Sequence, residues 1–398
     1  MGDLTLLQSV WLVAIVVLWV LYLVLEGFDF GVGMLLRRVR RDQLDRRVAL
    51  HAIGPTWAAN EVWVIVAVVG MFGAFPGWYA AWASGLYLPL VVALLAIVAR
   101  NAGIELLGKR EDERWRRGWE RVIELSSTVA PFCWGLMWAA TVHGLTLRGE
   151  EVVGSPLDAI TPYSVLGGLA LVALSRAQGA AFLTLRTDGD VRSRAARELT
   201  LAAPIAAVVG IAFLAWTAVA QSPGVAGWIA LGGSGVALVV LAAVALARRG
   251  AGAGAAGEGT GAAPFAATSA AIGLLVASWF CVLFPDAITA AGGGAGLALA
   301  DVAAGSYTLT LMTVLAGVMV PLLLAAQAWT YWAFRHRVTR ADVGERQPSP
   351  VDLIARLTGG PDDDGAGGAA GGSAPGGGAP SGPGFRRRGG PATGGEAG

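Results

Sequence analysis

The stretch LVLEGFDFGVGMLLRR, Leu23–Arg38, sets two opposed signals side by side. It closes an apolar run long enough to be a membrane-spanning helix, which needs about 20 residues. Yet it carries two carboxylates, Glu26 and Asp29. An ionised group in hydrocarbon costs several kcal/mol, so such acids are kept where they face protein or a water-filled interior. Arg37 marks one end of the span. Glu26 lies eleven residues before it, about 16 Å along a helix. That is near the centre of a hydrocarbon core about 30 Å thick. Asp29 follows Glu26 at i+3, so both acids share one helix face.

The next apolar run contains GPTWAANEVWVI, Gly54–Ile65, with Asn60 and Glu61 inside it. Read as one continuous helix entering after Arg47, it places these two residues about 20 Å up the span. Glu26, Asp29, Asn60 and Glu61 then form a polar cluster near mid-membrane, given that consecutive spans joined by a short connection are neighbours. Any one of these groups can serve as hydrogen-bonding glue between helices. Three acids at similar depth on two consecutive helices point instead to an ion or proton pathway. Gly27, Gly31 and Gly33 add a small-residue face suited to close helix packing.

Composition agrees with a membrane location. The chain has 398 residues, 55% of them hydrophobic and only 14% charged, against about 25% charged in soluble domains. Net charge is +1, which argues against nucleic acid as a partner. The two cysteines, Cys133 and Cys281, lie in apolar runs with no metal-ligand spacing. The N-terminus lacks the basic region of a cleavable signal peptide, so the first run reads as a span.

Nine runs are long enough to span, near 7–35, 51–75, 78–99, 122–146, 163–185, 199–221, 226–247, 266–290 and 306–334. Alternate loops are arginine-rich: six arginines lie in 36–50, seven basic residues in 100–121 and four in 186–198. The positive-inside rule places the N-terminus outside and the C-terminus in the cytoplasm. The expected fold is an all-α integral membrane protein, with a transmembrane domain over 1–340. A flexible cytoplasmic loop at 248–264 and a disordered cytoplasmic tail at 358–398 follow from their glycine-rich, apolar-poor composition.

Other polar residues read more plainly. Arg100 and Glu105 flank the cytoplasmic end of the third span, where they can pair with each other, meet headgroups or form an interface. Gln178 and Arg186 lie near the same end of the fifth span, and Asp286 at the outer end of the eighth. The tryptophans, Trp78, Trp82, Trp329 and Trp332 among them, read as interfacial anchors. A haem held between helices needs axial ligands, typically His or Met. The three histidines, His51, His143 and His336, all fall at span ends or beyond. Proton-handling groups without an electron carrier or a nucleotide motif suit a partner subunit better than a complete enzyme.

EGFDFGVGML (Glu26–Leu35) and GPTWAANEVWVI, followed by FPGWYAAWASGLYLPL, resemble the signature of subunit II of cytochrome bd quinol oxidase. QGAAFLTLRTDG (Gln178–Gly189) and the stretch from Ser306 to Phe334 extend the resemblance over most of the chain. The resemblance implies two four-helix groups plus one extra helix. It implies a haem-free subunit, paired with a subunit I that carries haems b558, b595 and d. The complex would sit in the bacterial cytoplasmic membrane, oxidise quinol and reduce dioxygen to water with protons from the cytoplasm. A bound quinone is compatible with it. Glu26 and Asp29 match acidic positions of the family's proton path. One position departs: the family has Trp-Asp-Gly-Asn where this chain has Trp57, Ala58, Ala59 and Asn60. Two other readings fit the acid cluster, a proton-coupled secondary transporter and a purely structural scaffold.

Overall fold

Thr5 starts the first helix. Its hydroxyl accepts from the Gln8 backbone N–H while the Gln8 side chain accepts from the Thr5 N–H, a reciprocal capping pair. The chain then stays helical through Leu6–Val39, helix α1. This computed structural model describes residues 4–110, 112–250 and 261–344. The helices that follow are α2 (Gln43–Ile53), α3 (Trp57–Ala74), α4 (Pro76–Gly85), α5 (Tyr87–Leu107) and α6 (Glu113–His143). They continue as α7 (Pro162–Arg186), α8 (Gly189–Ala220), α9 (Val225–Gly250), α10 (Ala262–Leu283), α11 (Ser306–Ala333) and α12 (Arg340–Gly344). Among the described residues nine helices, all but α2, α4 and α12, are long and apolar enough to cross a membrane.

Three spans differ from the sequence expectation. The run read as 51–75 is broken: α2 ends at Ile53 and α3 begins only at Trp57. Pro55 has no N–H to donate to the carbonyl one turn back, so the helical ladder stops there. Asn60 and Glu61 therefore lie in the opening turns of α3, not 20 Å up a continuous helix. The run read as 78–99 is two helices. Leu86 leaves helical geometry, with φ −108° and ψ 25°, and Pro89 cannot donate to Gly85. Its second half, α5, runs on to Leu107 and takes Arg100 inside a helix. The run read to 290 ends at Leu283, ahead of Pro285, and the chain turns into a short strand. Of the loop expected at 248–264, 251–260 lie outside the described residues, as does the tail at 358–398. The loop's flanks belong to α9 and α10.

Helix α1 runs through the middle and packs against α3, α6, α7 and α10. Gly31 permits the tightest of these approaches. A Cβ there would meet the Ser175 carbonyl oxygen and come within 2.6 Å of the Gly179 Cα on α7. Around α1 sits an aromatic core of Trp19, Tyr22, Trp78, Trp82, Trp134, Trp138 and Trp279. Trp78 and Trp82 are each only 1% exposed. They are core residues, not the interfacial anchors the sequence suggested; Trp329 and Trp332 are exposed, as anchors would be. Trp78 packs on Trp138 and Phe280, and Trp82 on Trp19 and Trp138.

At one end the connections after α6 and α10 form two small hairpins. They are β1 (Leu147–Arg148) with β2 (Glu151–Val152), and β3 (Asp286–Ile288) with β4 (Leu297–Ala298). Backbone bonds from Leu145 to Thr289 and from Ala291 to Leu145 join the two connections. Asp286, expected at a helix end, stands in β3. The other end is rich in arginine. There Asp45 of α2 is fully buried and accepts from Arg194 and Arg340, and Glu120 is fully buried between Arg40 and Arg46.

Candidate functional site: a carboxylate cluster bridged by one arginine

Four helices contribute. Helix α1 brings Glu26 and Asp29, α3 brings Asn60 and Glu61, α5 brings Arg100 and Asn101, and α11 brings Gln327 and Tyr331. Glu26, Asp29 and Asn60 are fully buried and Arg100 is 1% exposed, whereas the Glu61 side chain is 20% exposed. The cluster is thus sealed at its centre and partly exposed at Glu61.

Arg100 joins the two. Its Nη2 lies 2.5 Å from Glu26 Oε1 and 2.5 Å from Glu61 Oε1. The Glu61 contact is a hydrogen bond, whereas the Glu26 contact is close but off-angle, and neither Glu26 oxygen accepts a well-formed hydrogen bond. Asn101 Nδ2 donates to the second Glu61 oxygen at 2.9 Å. The guanidinium also stacks over the Phe30 ring, 4.8 Å from its centroid, which replaces part of its lost hydration. On the far side of the centre, Asn60 Nδ2 donates to Asp29 Oδ2 at 2.7 Å. Gln327 Nε2 and Tyr331 OH both donate to Asn60 Oδ1, at 2.7 and 3.0 Å. Unpartnered buried atoms remain on Tyr22, Glu26, Asp29 and Arg100.

The structure therefore brings Glu26, Asp29, Asn60 and Glu61 together, as their sequence positions suggested. The sequence reading set Arg100 at the end of a span; it lies instead inside α5, against Glu26 and Glu61, and does not pair with Glu105. Glu105 is exposed and forms no ion pair among the described residues. An arginine at the end of an apolar run looks like a span terminus, and only the continuation of α5 through NAGIELL corrects this. Asn101, Gln327 and Tyr331 were not singled out. Gln327 and Tyr331 stand at i and i+4 in an apolar helix, so one shared polar face was the available signal. Gln178 lies outside the cluster; its Nε2 ties α7 to the Val24 carbonyl at 3.0 Å and to Ser269 at 3.1 Å.

The family model for cytochrome bd terminal oxidase subunit II matches residues 7–334. This chain belongs to that family. It is 33% identical over 338 residues to the cytochrome bd ubiquinol oxidase subunit 2 of Bacillus subtilis (strain 168), covering 84% of this chain and 98% of that one. It is 27% identical over 375 residues to the cytochrome bd-I ubiquinol oxidase subunit 2 of Escherichia coli (strain K12), covering 86% and 98%. Among solved structures, the bd oxidase from Geobacillus thermodenitrificans shares the fold, with a TM-score of 0.61 at 15% identity, over 82% of this chain and 98% of that one.

As a subunit II family member, the chain is part of an oxidoreductase complex and implies a further oxidase subunit. Bd oxidases carry haem, whose iron needs axial ligands such as His or Met. Among the described residues no group of three or more His, Cys, Asp or Glu could hold a metal ion. His51, His143 and His336 are all exposed at the ends of the helices. Met71, though buried, has its sulfur engaged by Trp19 Nε1 at 3.2 Å. None of the three histidines is buried between helices. Ala58, the position at which the sequence resemblance implies an acid, is exposed on α3, one turn before Glu61 and on its side of the helix.

Proposed function

We propose that this chain is the haem-free subunit II of a cytochrome bd-type quinol oxidase in a bacterial cytoplasmic membrane. It pairs with a haem-bearing subunit I, stabilises it, and carries protons part of the way from the cytoplasm toward the site of dioxygen reduction. The observation that carries the reading is Arg100 held between Glu26 and Glu61. One guanidinium faces three carboxylates, Glu26, Asp29 and Glu61. A buried cluster with more acids than cations carries excess negative charge, and a proton is the cheapest way to neutralise it. Such a cluster binds and releases protons as its surroundings change.

The order of the path follows from exposure. Glu61, at the partly exposed edge, receives a proton from the arginine-rich end, which the positive-inside rule assigns to the cytoplasm. Glu26 and Asp29, one turn apart on α1, hold it in the sealed centre. The unpartnered oxygens of Tyr22, Glu26 and Asp29 are acceptors that water can join into a chain. The haem-free assignment is supported by the exposure of all three histidines; haems b558, b595 and d are assigned to subunit I. The N-terminus is then outside and the C-terminus inside.

Purification tests this. The chain should co-purify with a partner showing haem absorbance, and deleting it should abolish quinol-dependent oxygen uptake. A chain that purifies alone, stable and colourless, with the partner's oxidase activity intact, contradicts the assignment.

A further inference from the structure

We propose that Gln327 and Tyr331 are positioning residues that lock the Asn60 amide with its N–H toward Asp29, and so set the protonation state that Asp29 favours. The inference rests on the proton-path reading above.

The Asn60 side chain is fully hydrogen-bonded. Its Oδ1 accepts from Gln327 Nε2 at 2.7 Å and from Tyr331 OH at 3.0 Å, using both lone pairs. Its Nδ2 faces Asp29 Oδ2 at 2.7 Å and the Leu25 carbonyl at 3.4 Å. A primary amide has a donor side and an acceptor side, and a flip exchanges them. Flipped, Asn60 would point a carbonyl oxygen at the Asp29 carboxylate and at the Leu25 carbonyl, two acceptors facing an acceptor. A flipped amide is compatible with Asp29 only as the acid, whose O–H could donate to it. The flipped orientation therefore excludes the ionised form of Asp29, whereas the orientation held by α11 accommodates both forms and favours the carboxylate. Both donors that select one orientation come from α11.

Helix α11 is an unusual source for such a constraint. Only 6% of its spanning window is buried in the chain, and residues such as Leu311, Val314, Leu315 and Val318 are exposed. Gln327 and Tyr331 stand one turn apart and reach inward over Asn60 from this thinly packed helix. Near its other end, Trp11 Nε1 donates to Thr313 Oγ1 at 3.0 Å. A helix placed for packing alone has no need of two donors on one amide oxygen. The titratable and charged groups around Asp29 are Glu26 and Tyr22 from α1, Glu61 from α3, Arg100 from α5 and Tyr331 itself from α11.

The test uses the purified two-subunit complex, with rates expressed per haem. In the Gln327→Leu/Tyr331→Phe variant the profile of turnover against pH should move by about half a unit or more, which is about a threefold rate change on its limb. Tyr331→Phe alone should give a smaller change of the same sign. Added to an Asp29→Asn background, the pair should cause no further movement, because the effect passes through Asp29. An unmoved profile per haem, with only a lower yield of complex, overturns the inference and leaves the two residues a structural role. If Asp29→Asn itself changes neither rate nor profile, the proton-path reading fails instead. Should the double variant not assemble, Tyr331→Phe, which keeps the ring, decides alone: a profile identical to wild type overturns the proposal.

Discussion

Arg100 and Glu26 meet at 2.5 Å in the centre of the helices, with both side chains essentially sealed from solvent. The same guanidinium nitrogen reaches Glu61 at 2.5 Å. Removing one partner of a buried pair is strongly destabilising, by about 3–5 kcal/mol, because the remaining charge is left uncompensated. Arg100→Gln should therefore sharply reduce the amount of assembled, haem-containing complex. Arg100→Lys should recover part of it, since the charge is kept but the planar group that stacks on Phe30 is lost. Haem absorbance per amount of this chain, compared across the three proteins, measures it; equal yields would show that Arg100 is not the counter-charge.

Ala58 stands where the sequence resemblance implies an acid. Its exposed position, one turn before Glu61, is where an acid would give α3 a second carboxylate. Ala58→Asp is expected to leave the fold intact, because the site is open to its surroundings, and to raise turnover if the relay is interrupted at present. Oxygen uptake with saturating quinol reads this. A rate equal to wild type means that Glu61 already serves as the entry to the path.

Close approach of α1 and α7 depends on Gly31. A Cβ there would have to displace the backbone of α7, near Ser175 and Gly179, and overpacking of this kind costs about 1–3 kcal/mol. Gly31→Ala should lower the thermal midpoint of the complex and disturb the neighbouring Glu26–Asp29 face. A midpoint unchanged within error would mean that the helices can separate freely.

At the arginine-rich end Asp42 caps α2, accepting from the Asp45 N–H at 2.9 Å and pairing with Arg340. That backbone bond first, and the Arg340 guanidinium after it, hold the Asp42 carboxyl below its usual value. A depressed carboxylate contributes stability that is present in full above its unfolded value of about 3.9. The contribution is lost as pH falls through the folded value. Asp42→Ala should cost about 1 kcal/mol near neutrality, as lost caps do. The difference in thermal midpoint between variant and wild type should shrink towards pH 3. A gap that persists unchanged in acid would assign the effect to packing.

Much of the site was legible because acids in an apolar run are costly and so conspicuous. Glu26, Asp29, Asn60 and Glu61 announced themselves in this way, and the i, i+3 spacing on α1 put the first two on one face. Depth was harder. Pro55 divides a run that hydropathy reads as one helix, so Asn60 sits near the start of α3. Arg100 was misjudged because hydropathy ends a span at the first arginine, whereas the acids Glu26 on α1 and Glu61 on α3 pair with this one inside the protein. Trp78 and Trp82 were misjudged for a similar reason: residue type says interface, and only their packing on Trp19, Trp138 and Phe280 places them in the core. Gln327 and Tyr331 carry no charge, so nothing in composition distinguishes them from ordinary polar residues of a span. Their roles appear only once α11 is seen against α3.

The central claim is that protons for dioxygen reduction pass through Glu26. The most direct measurement is proton uptake from bulk solution, followed with a pH-sensitive dye after the quinol-reduced complex is mixed with dioxygen. In Glu26→Gln, with haem content matched to wild type, uptake should slow by at least about tenfold, a floor set below the roughly hundredfold or greater effect of a proton-transferring group. Uptake as fast as in wild type would contradict the account.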